Sequence, residues 1–360
     1  MYSTLKIRNF GPVREADLTI RDINILVGEQ GSGKSAVAKM ITIFDDPSFV
    51  LRLNHCNDKG SSFNPTAVFH KYNIASYFSD TTMLTYVHPG YYAITYAGGK
   101  FELSITNRET LPLHNCSSLF IPAERSFVGL FSRTLLSHQD KESVPEPLVR
   151  FANLYERAKR KFKRFEVPFL GVEFIAGEGE DRIRLCKKDT TLSFRDASSG
   201  LQTVIPLLMV ISYSLHEQLF NSFQIEEPEL NLFPSSQLDL LKWLVSHCGR
   251  FSLTTQSPYM LKAINNMLFA GRLYDNTLTK EEVVKLVEPE YCLPAEKLSA
   301  YSLGNTKVGE PYCSSLFDVR NGLVEPDFLD SVALGQTQLF KKLFSLSLQS
   351  LRENLILPHE

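Results

Sequence analysis

The octapeptide Gly28-Glu29-Gln30-Gly31-Ser32-Gly33-Lys34-Ser35 constrains this chain more than any other stretch. It fits G-x-x-x-x-G-K-[ST] in full, a run suited to a tight loop between a strand and a helix. The glycines let successive backbone N–H groups turn toward one anion, and the helix that follows adds the positive end of its dipole. The required context is present. Residues 23–27 (Ile-Asn-Ile-Leu-Val) are apolar enough for a fully buried strand, and residues 35–41 read as a helix. Nucleotide phosphates are the expected ligand, cradled by Gly28, Gln30, Gly31, Ser32, Gly33, Lys34, Ser35 and Ala36. Lys34 is placed to reach the β- and γ-phosphates of ATP, and the Ser35 hydroxyl to ligate Mg2+.

The pattern around this loop predicts an α/β fold. Residues 5–8 and 16–20 alternate as two half-buried strands joined through Gly11-Pro12, an antiparallel N-terminal lobe. Residues 91–96 and 100–106 flank Ala97-Gly98-Gly99 as a hairpin; the rest of 45–117 has little regularity. A short buried strand is expected at 119–121. Farther on, helix, strand, helix, strand and helix follow at 201–219, 222–225, 234–247, 251–255 and 257–267, which predicts a central, mostly parallel sheet. Residues 127–190 read as an insertion: a helix from about 143 to 165, then a hairpin at 169–176 and 182–187. Strands near 283–287 and 298–303 and a C-terminal helix from about Gln336 complete the reading. Three sections are expected: 1–126 and 191–360 as halves of one head, with 127–190 between them.

Composition narrows the class. Among 360 residues, 43% are hydrophobic and 22% charged, and the net charge of -2 provides no global basic field for coating nucleic acid. The six cysteines are scattered without a CxxC pair, so neither a zinc site nor a disulfide framework is expected. The N-terminus lacks a signal-peptide core, and no apolar run reaches the roughly 18 residues of a membrane span. The expected setting is the cytoplasm, with reduced thiols.

Two further sites carry chemistry. Residues 222–229 end a strand on adjacent carboxylates: Glu226 is expected in the metal shell beside Ser35, and Glu227 as general base or water-orienting group. Asp196-Ala197-Ser198-Ser199-Gly200-Leu201-Gln202 places small hydroxyl residues and a glycine at a helix N-terminus. That end either donates N–H groups to an anion or is simply capped by Ser198 or Ser199.

In sequence order, these segments resemble the ABC-type ATPases of the SMC/RecF/OLD branch. The opening LKIRNFGPVREADLTIRDINILVGEQGSGKS looks like that branch's strand pair and Walker A, and SSGLQ like a degenerate signature. QIEEPELNLFPSSQ looks like Walker B with its D-loop, and TTQSPYML like the switch segment. FIPAERS and the ending AYSLGNTKVG…NGLVEPDFLDSV further resemble stand-alone bacterial AAA-family ATPases, many of them found in anti-phage defence operons. The resemblance implies a P-loop NTPase of the ABC-head kind that binds ATP and Mg2+ and hydrolyses ATP through Lys34, Glu226, Glu227 and Gln256. It also implies a head-to-tail dimer or larger oligomer in which Ser198, Ser199, Gly200 and Gln202 of one copy close over the P-loop of the next. A separate effector such as a nuclease or toxin would be the partner. A RecF/SMC-like repair ATPase acting on DNA, or a nucleotide-gated scaffold with little turnover, stands as the alternative. The sequence departs from the branch at Gln30, at Glu226 in place of the Walker B aspartate, and at Gln256 in place of the switch histidine. Gln256 cannot carry a proton at neutral pH, which predicts slow turnover.

Two features are open between readings. Arg157, Lys159, Arg160, Lys161, Lys163 and Arg164 crowd one predicted helix and form either a solvated face or a nucleic-acid contact, with Glu178, Glu180 and Asp181 as pairing candidates. Glu124 and Arg125 either sit near the nucleotide or form a structural ion pair.

Overall fold

The computed structural model describes residues 2–56, 63–106, 117–137, 144–305, 310–318, 320–325, 338, 340 and 341. Strands β1 (Ser3–Phe10) and β2 (Val13–Ile20) form the first hairpin, followed by β3 (Ile23–Gly28) and helix α1 (Lys34–Phe44). The alternation read in β1 and β2 is real, with Leu5, Ile7, Ala16 and Leu18 inward and Lys6, Arg8 and Glu15 outward. Then come α2 (Pro47–Cys56), α3 (Thr66–Lys71), β4 (Met83–His88), β5 (Tyr92–Ala97) and β6 (Lys100–Ile105). The antiparallel lobe is a five-stranded sheet in the order β2-β1-β4-β5-β6. Residues 45–117 are therefore more regular than expected. β4 pairs with β1 and buries Leu84 and Tyr86 on alternate positions.

The central sheet draws on distant segments: β7 (Ser118–Ile121), β12 (Ser222–Glu226), β13 (Arg250–Thr254), β14 (Leu298–Leu303) and β15 (Cys313–Ser315). Its order is β15-β14-β3-β13-β12-β7. Every pairing is parallel except that of β14 with the edge strand β15. Helices α6 (Ser199–His216), α7 (Pro234–His247) and α8 (Pro258–Tyr274) follow the pattern expected of them, with α6 starting two residues earlier and α8 running seven residues longer. Parallel strands put the ends of β3, β12 and β13 on one edge, where ligands of open α/β sheets sit.

Between β7 and α6 lie α4 (Val128–Ser137), α5 (Glu146–Lys161) and a four-stranded antiparallel sheet of β8 (Arg164–Val167), β9 (Val172–Ile175), β10 (Arg182–Leu185) and β11 (Thr190–Ser193). The expectation of one long helix to about 165 is corrected. α5 ends at Lys161, because Phe165 and Val167 alternate inward with Arg164 and Glu166 outward, a period that suits a strand paired to β9. This segment shares a core with the central sheet: Phe151, Phe174 and Phe194 pack in one cluster with Ile25, Phe223 and Leu253.

After α8, residues expected as a strand at 283–287 form α9 (Lys280–Val284) and its exit. Glu281 and Glu282 favour the helix start, and only Val283 is buried there. Two short strands, β16 (Phe317–Asp318) and β17 (Leu323–Val324), close the described chain. The helix expected from Gln336 lies outside the described residues, apart from helical positions at 338, 340 and 341. Among the described residues no helix is long and apolar enough to cross a membrane, and Cys186, Cys248, Cys292 and Cys313 are free thiols.

Candidate functional site

The loop from Gly28 to Gly33 leaves the end of β3 and enters α1 at Lys34. Gly33 stands at φ 87, and a Cβ there would fall 2.4 Å from Val13 Cγ2. Glycine is demanded twice over, by conformation and by space. Gly33→Ala is expected to lower unfolding stability by at least about 2 kcal/mol, seen as a lower urea midpoint; an unchanged midpoint would contradict this packing.

The loop lines a cleft of about 470 Å³ together with Lys39, Ala123, Glu124, Glu226, Glu227, Thr254, Gln256, Pro12 and Tyr77. Three strand ends thus converge, although the segments lie some two hundred residues apart. Lys34 is buried and donates to the carbonyls of Gly28 (2.7 Å) and Glu29 (2.8 Å). Burial pulls its pKa down, against the opposing pull of Glu227 and Glu226. Glu226 is buried at the end of β12, where the Ala123 N–H donates to Oε2 at 3.2 Å and Ser35 lines the same cleft. Burial pushes its pKa up, opposed by Ser35, Lys39 and Ala123.

Glu227 adopts φ 41, an uncommon conformation for a residue with a side chain. Its N–H donates to Thr254 O at 2.9 Å, and Gln256 Nε2 donates to its Oε1 at 3.1 Å. Glu229, for which sequence reasoning found no role, anchors the segment after β13. Its Oε1 accepts from the Thr255 hydroxyl and from the Gln256 N–H. Burial pushes its pKa above the ordinary 4.5. A carboxyl raised on folding stabilises the fold below its ordinary pKa, and that contribution is lost as pH rises through the folded value. Glu229→Gln is accordingly expected to flatten the decline of stability above pH 4.5; urea titrations across this range with equal slopes for both proteins would refute it.

The cleft offers a hydroxyl (Ser35) and a carboxylate (Glu226) in its lining, hard oxygen donors of the kind Mg2+ takes when it arrives with phosphate. Among the described residues no group of three or more His, Cys, Asp or Glu side chains converges as a self-sufficient metal cage. The donor set fits a cation shared with a nucleotide.

Other expected residues stand apart from the cleft. Ser198 is the N-cap of α6 without a side-chain cap bond, Ser198 and Ser199 are exposed, and Gly200 packs against Asn231 O. Gln202 Nε2 donates to the carbonyls of Phe194 and Arg195. The basic run does not form one exposed helical face, which corrects that expectation. Lys159 is buried between Glu156 (2.6 Å) and Asp181 (3.0 Å), Lys161 pairs with Glu217, and Arg157 lies over the Tyr213 ring. Lys163 and Arg164 lie beyond α5, and Arg164 grips Glu173 with two bonds of 2.6 and 2.7 Å. Arg160 stays exposed on the helix.

Glu124 lines the cleft, whereas Arg125 is fully buried behind it and bonds backbone carbonyls rather than Glu124. Sequence reasoning also missed Lys39, Tyr77 and Pro12. Lys39 carried a readable signal, because it lies one helical turn beyond Ser35 on the same face of α1.

Comparison with known proteins adds the following. Residues 1–144 match the AAA ATPase domain family. No curated protein is significantly similar to the chain. Similar solved structures include the SMC head domain from Thermotoga maritima, at 16% identity and a TM-score of 0.39 over 73% of this chain and 92% of that one. An SMC head bound to the C-winged helix domain of ScpA aligns at 11% identity and a TM-score of 0.46, covering 88% of this chain and 98% of that one. An Smc head with an extended coiled coil, bound to the C-terminal domain of ScpA derived from Pyrococcus furiosus, aligns at 11% and 0.45 over 88% and 96%. The P-loop and Glu124 thus fall within a stretch similar to AAA ATPase domains, whereas Glu226 and Glu227 on the other side of the cleft come from outside that stretch.

Proposed function

We propose that this chain binds ATP with Mg2+ in the cleft and hydrolyses it. One observation carries the reading: Lys34, Ser35, Glu226 and the Glu227–Gln256 pair, supplied by three strand ends, face a single phosphate-sized loop. Lys34 would give up its carbonyl contacts to the β- and γ-phosphates. Ser35 and Glu226 would hold Mg2+, which neutralises phosphate charge when bound. Glu227 takes the proton of the attacking water, and Gln256 orients Glu227 and that water without carrying charge. Pro12 and Tyr77, at the rim, would supply an apolar face for the base.

The second half of the reading is assembly. The exposed, uncapped start of α6 at Ser198 and Ser199 suits contact with the phosphates of a neighbouring copy. Phe233 and Tyr259, 75% and 53% exposed, follow the Glu227 and Gln256 segments and suit burial between two heads. In this reading, ATP joins two copies head to tail and hydrolysis frees them. Regulation of a separate effector, as in anti-phage defence, extends the reading on the resemblance of the motifs alone. Direct action on DNA has less support, since Lys159, Lys161 and Arg164 are engaged in ion pairs. Sedimentation velocity of Glu227→Gln tests assembly: a shift from monomer to dimer on adding ATP and Mg2+ is expected. A protein that stays monomeric while saturated with ATP would rule the dimer out.

A further inference from the structure

We propose that Arg125 is a positioning residue that holds Glu227 in its working place and ties that place to the seat of α4 on α6. The proposal rests on the hydrolytic reading of the cleft.

Arg125 lies in the 3-10 turn Ala123–Phe127 between β7 and α4, and none of it reaches solvent. Its described hydrogen bonds all go to backbone carbonyls. Nη1 donates to Pro122 O (3.1 Å) and Glu226 O (2.5 Å), and Nη2 to Glu227 O (2.6 Å). Nε has no partner. Burial pulls its pKa down to about 10, against the combined field of Glu229, Glu226, Glu227 and Glu124. A buried cation without a bonded carboxylate is a costly way to fill space, and an apolar side chain would do that better. What arginine adds is a rigid fork whose two prongs take two adjacent carbonyls.

Those carbonyls straddle the bend where β12 ends and Glu227 turns to φ 41. Such a conformation is costly for a residue with a side chain and persists only where the surroundings hold it. The Glu227 amide is fixed by Thr254 O and its carbonyl by Arg125, so the bend is gripped from both sides. The same turn donates the Ala123 N–H to Glu226.

The turn also runs directly into α4. At Gly129, in the first turn of that helix, a Cβ would lie 2.8 Å from Gln202 O and 3.1 Å from the Phe194 ring. α4 is therefore seated flush on the first turn of α6, which carries Ser199, Gly200 and Gln202. This contact lies four positions along the chain from Arg125. A shift of the α6 end reaches the Glu227 carbonyl along one short, tightly packed path.

Three variants test this: Arg125→Ala, Arg125→Lys and Gly129→Ala, each assayed for melting, ATP affinity, and kcat against KM. Arg125→Ala is expected to lose about 100-fold in kcat, as a displacement near 1 Å does, with ATP affinity within about threefold of wild type. Added guanidinium ion should restore about tenfold of that loss by refilling the fork's place. Arg125→Lys recovers little, because one ammonium cannot take both carbonyls in the fork's geometry. Gly129→Ala is expected to lower kcat about tenfold at unchanged affinity. A folded Arg125→Ala that keeps wild-type kcat, or whose loss does not answer to guanidinium, overturns the proposal alone. If Arg125→Ala does not fold, Arg125→Lys decides, and wild-type kcat in that variant overturns it. Absence of turnover in the wild type overturns the hydrolytic reading and this proposal together.

Discussion

Lys34→Ala is expected to weaken ATP binding at least about 100-fold while leaving the protein folded. The ammonium is buried and held 2.7 and 2.8 Å from two loop carbonyls, so it already lies in the phosphate cradle. A charge-assisted contact to phosphate in such a setting contributes about 2–5 kcal/mol, and tenfold in affinity is about 1.4 kcal/mol. The fold is expected to tolerate loss of this charge. Burial already disfavours the protonated amine, as its lowered pKa records, so truncation removes a desolvation cost along with two hydrogen bonds. Calorimetric titration with ATP and Mg2+ measures the effect, and a melting curve checks the fold. Affinity within about threefold of wild type would show that the nucleotide does not use this loop.

Glu227→Gln is expected to separate binding from chemistry. The amide matches the carboxylate in shape and can still accept from Gln256 Nε2, whose present partner is Glu227 Oε1 at 3.1 Å. It cannot take a proton from water. Loss of a general base costs about 100- to 10,000-fold in rate, so kcat should fall about 1,000-fold. ATP affinity should hold or improve, since a negative charge beside the phosphates is gone. Turnover within tenfold of wild type would move the base to another residue, with Glu124 the first to examine because it lines the same cleft.

Where sequence signals were local, they located the structure closely. α7 at Pro234–His247 and β14 at Leu298–Leu303 match the spans read from periodicity and turn residues, and the loop from Gly28 to Ser35 stands between the strand and helix its spacing requires. Signals failed where tertiary contacts decide. β4 is set by pairing between β1 and β5, partners that no local pattern in residues 83–88 reveals. The basic run at 157–164 looks uniform as sequence, yet Lys159 faces inward to Glu156 and Asp181, and the last of the run turns into a strand. The site was legible in its chemical groups but not in its supports. Glu226, Glu227 and Gln256 are readable from strand ends, whereas Arg125 and Glu229 matter through contacts with carbonyls, hydroxyls and amides of segments far away in the chain. Nothing in the local pattern around Arg125 shows that two of its partners are the backbone oxygens of Glu226 and Glu227, about one hundred residues away.

Phosphate release at saturating ATP and Mg2+, measured side by side for the wild type, Lys34→Ala and Glu227→Gln, tests the central claim most directly. The account predicts release by the wild type that is lost in both variants, with ATP affinity kept in Glu227→Gln and weakened in Lys34→Ala. Release that continues undiminished in both variants would place the hydrolysis elsewhere and contradict it.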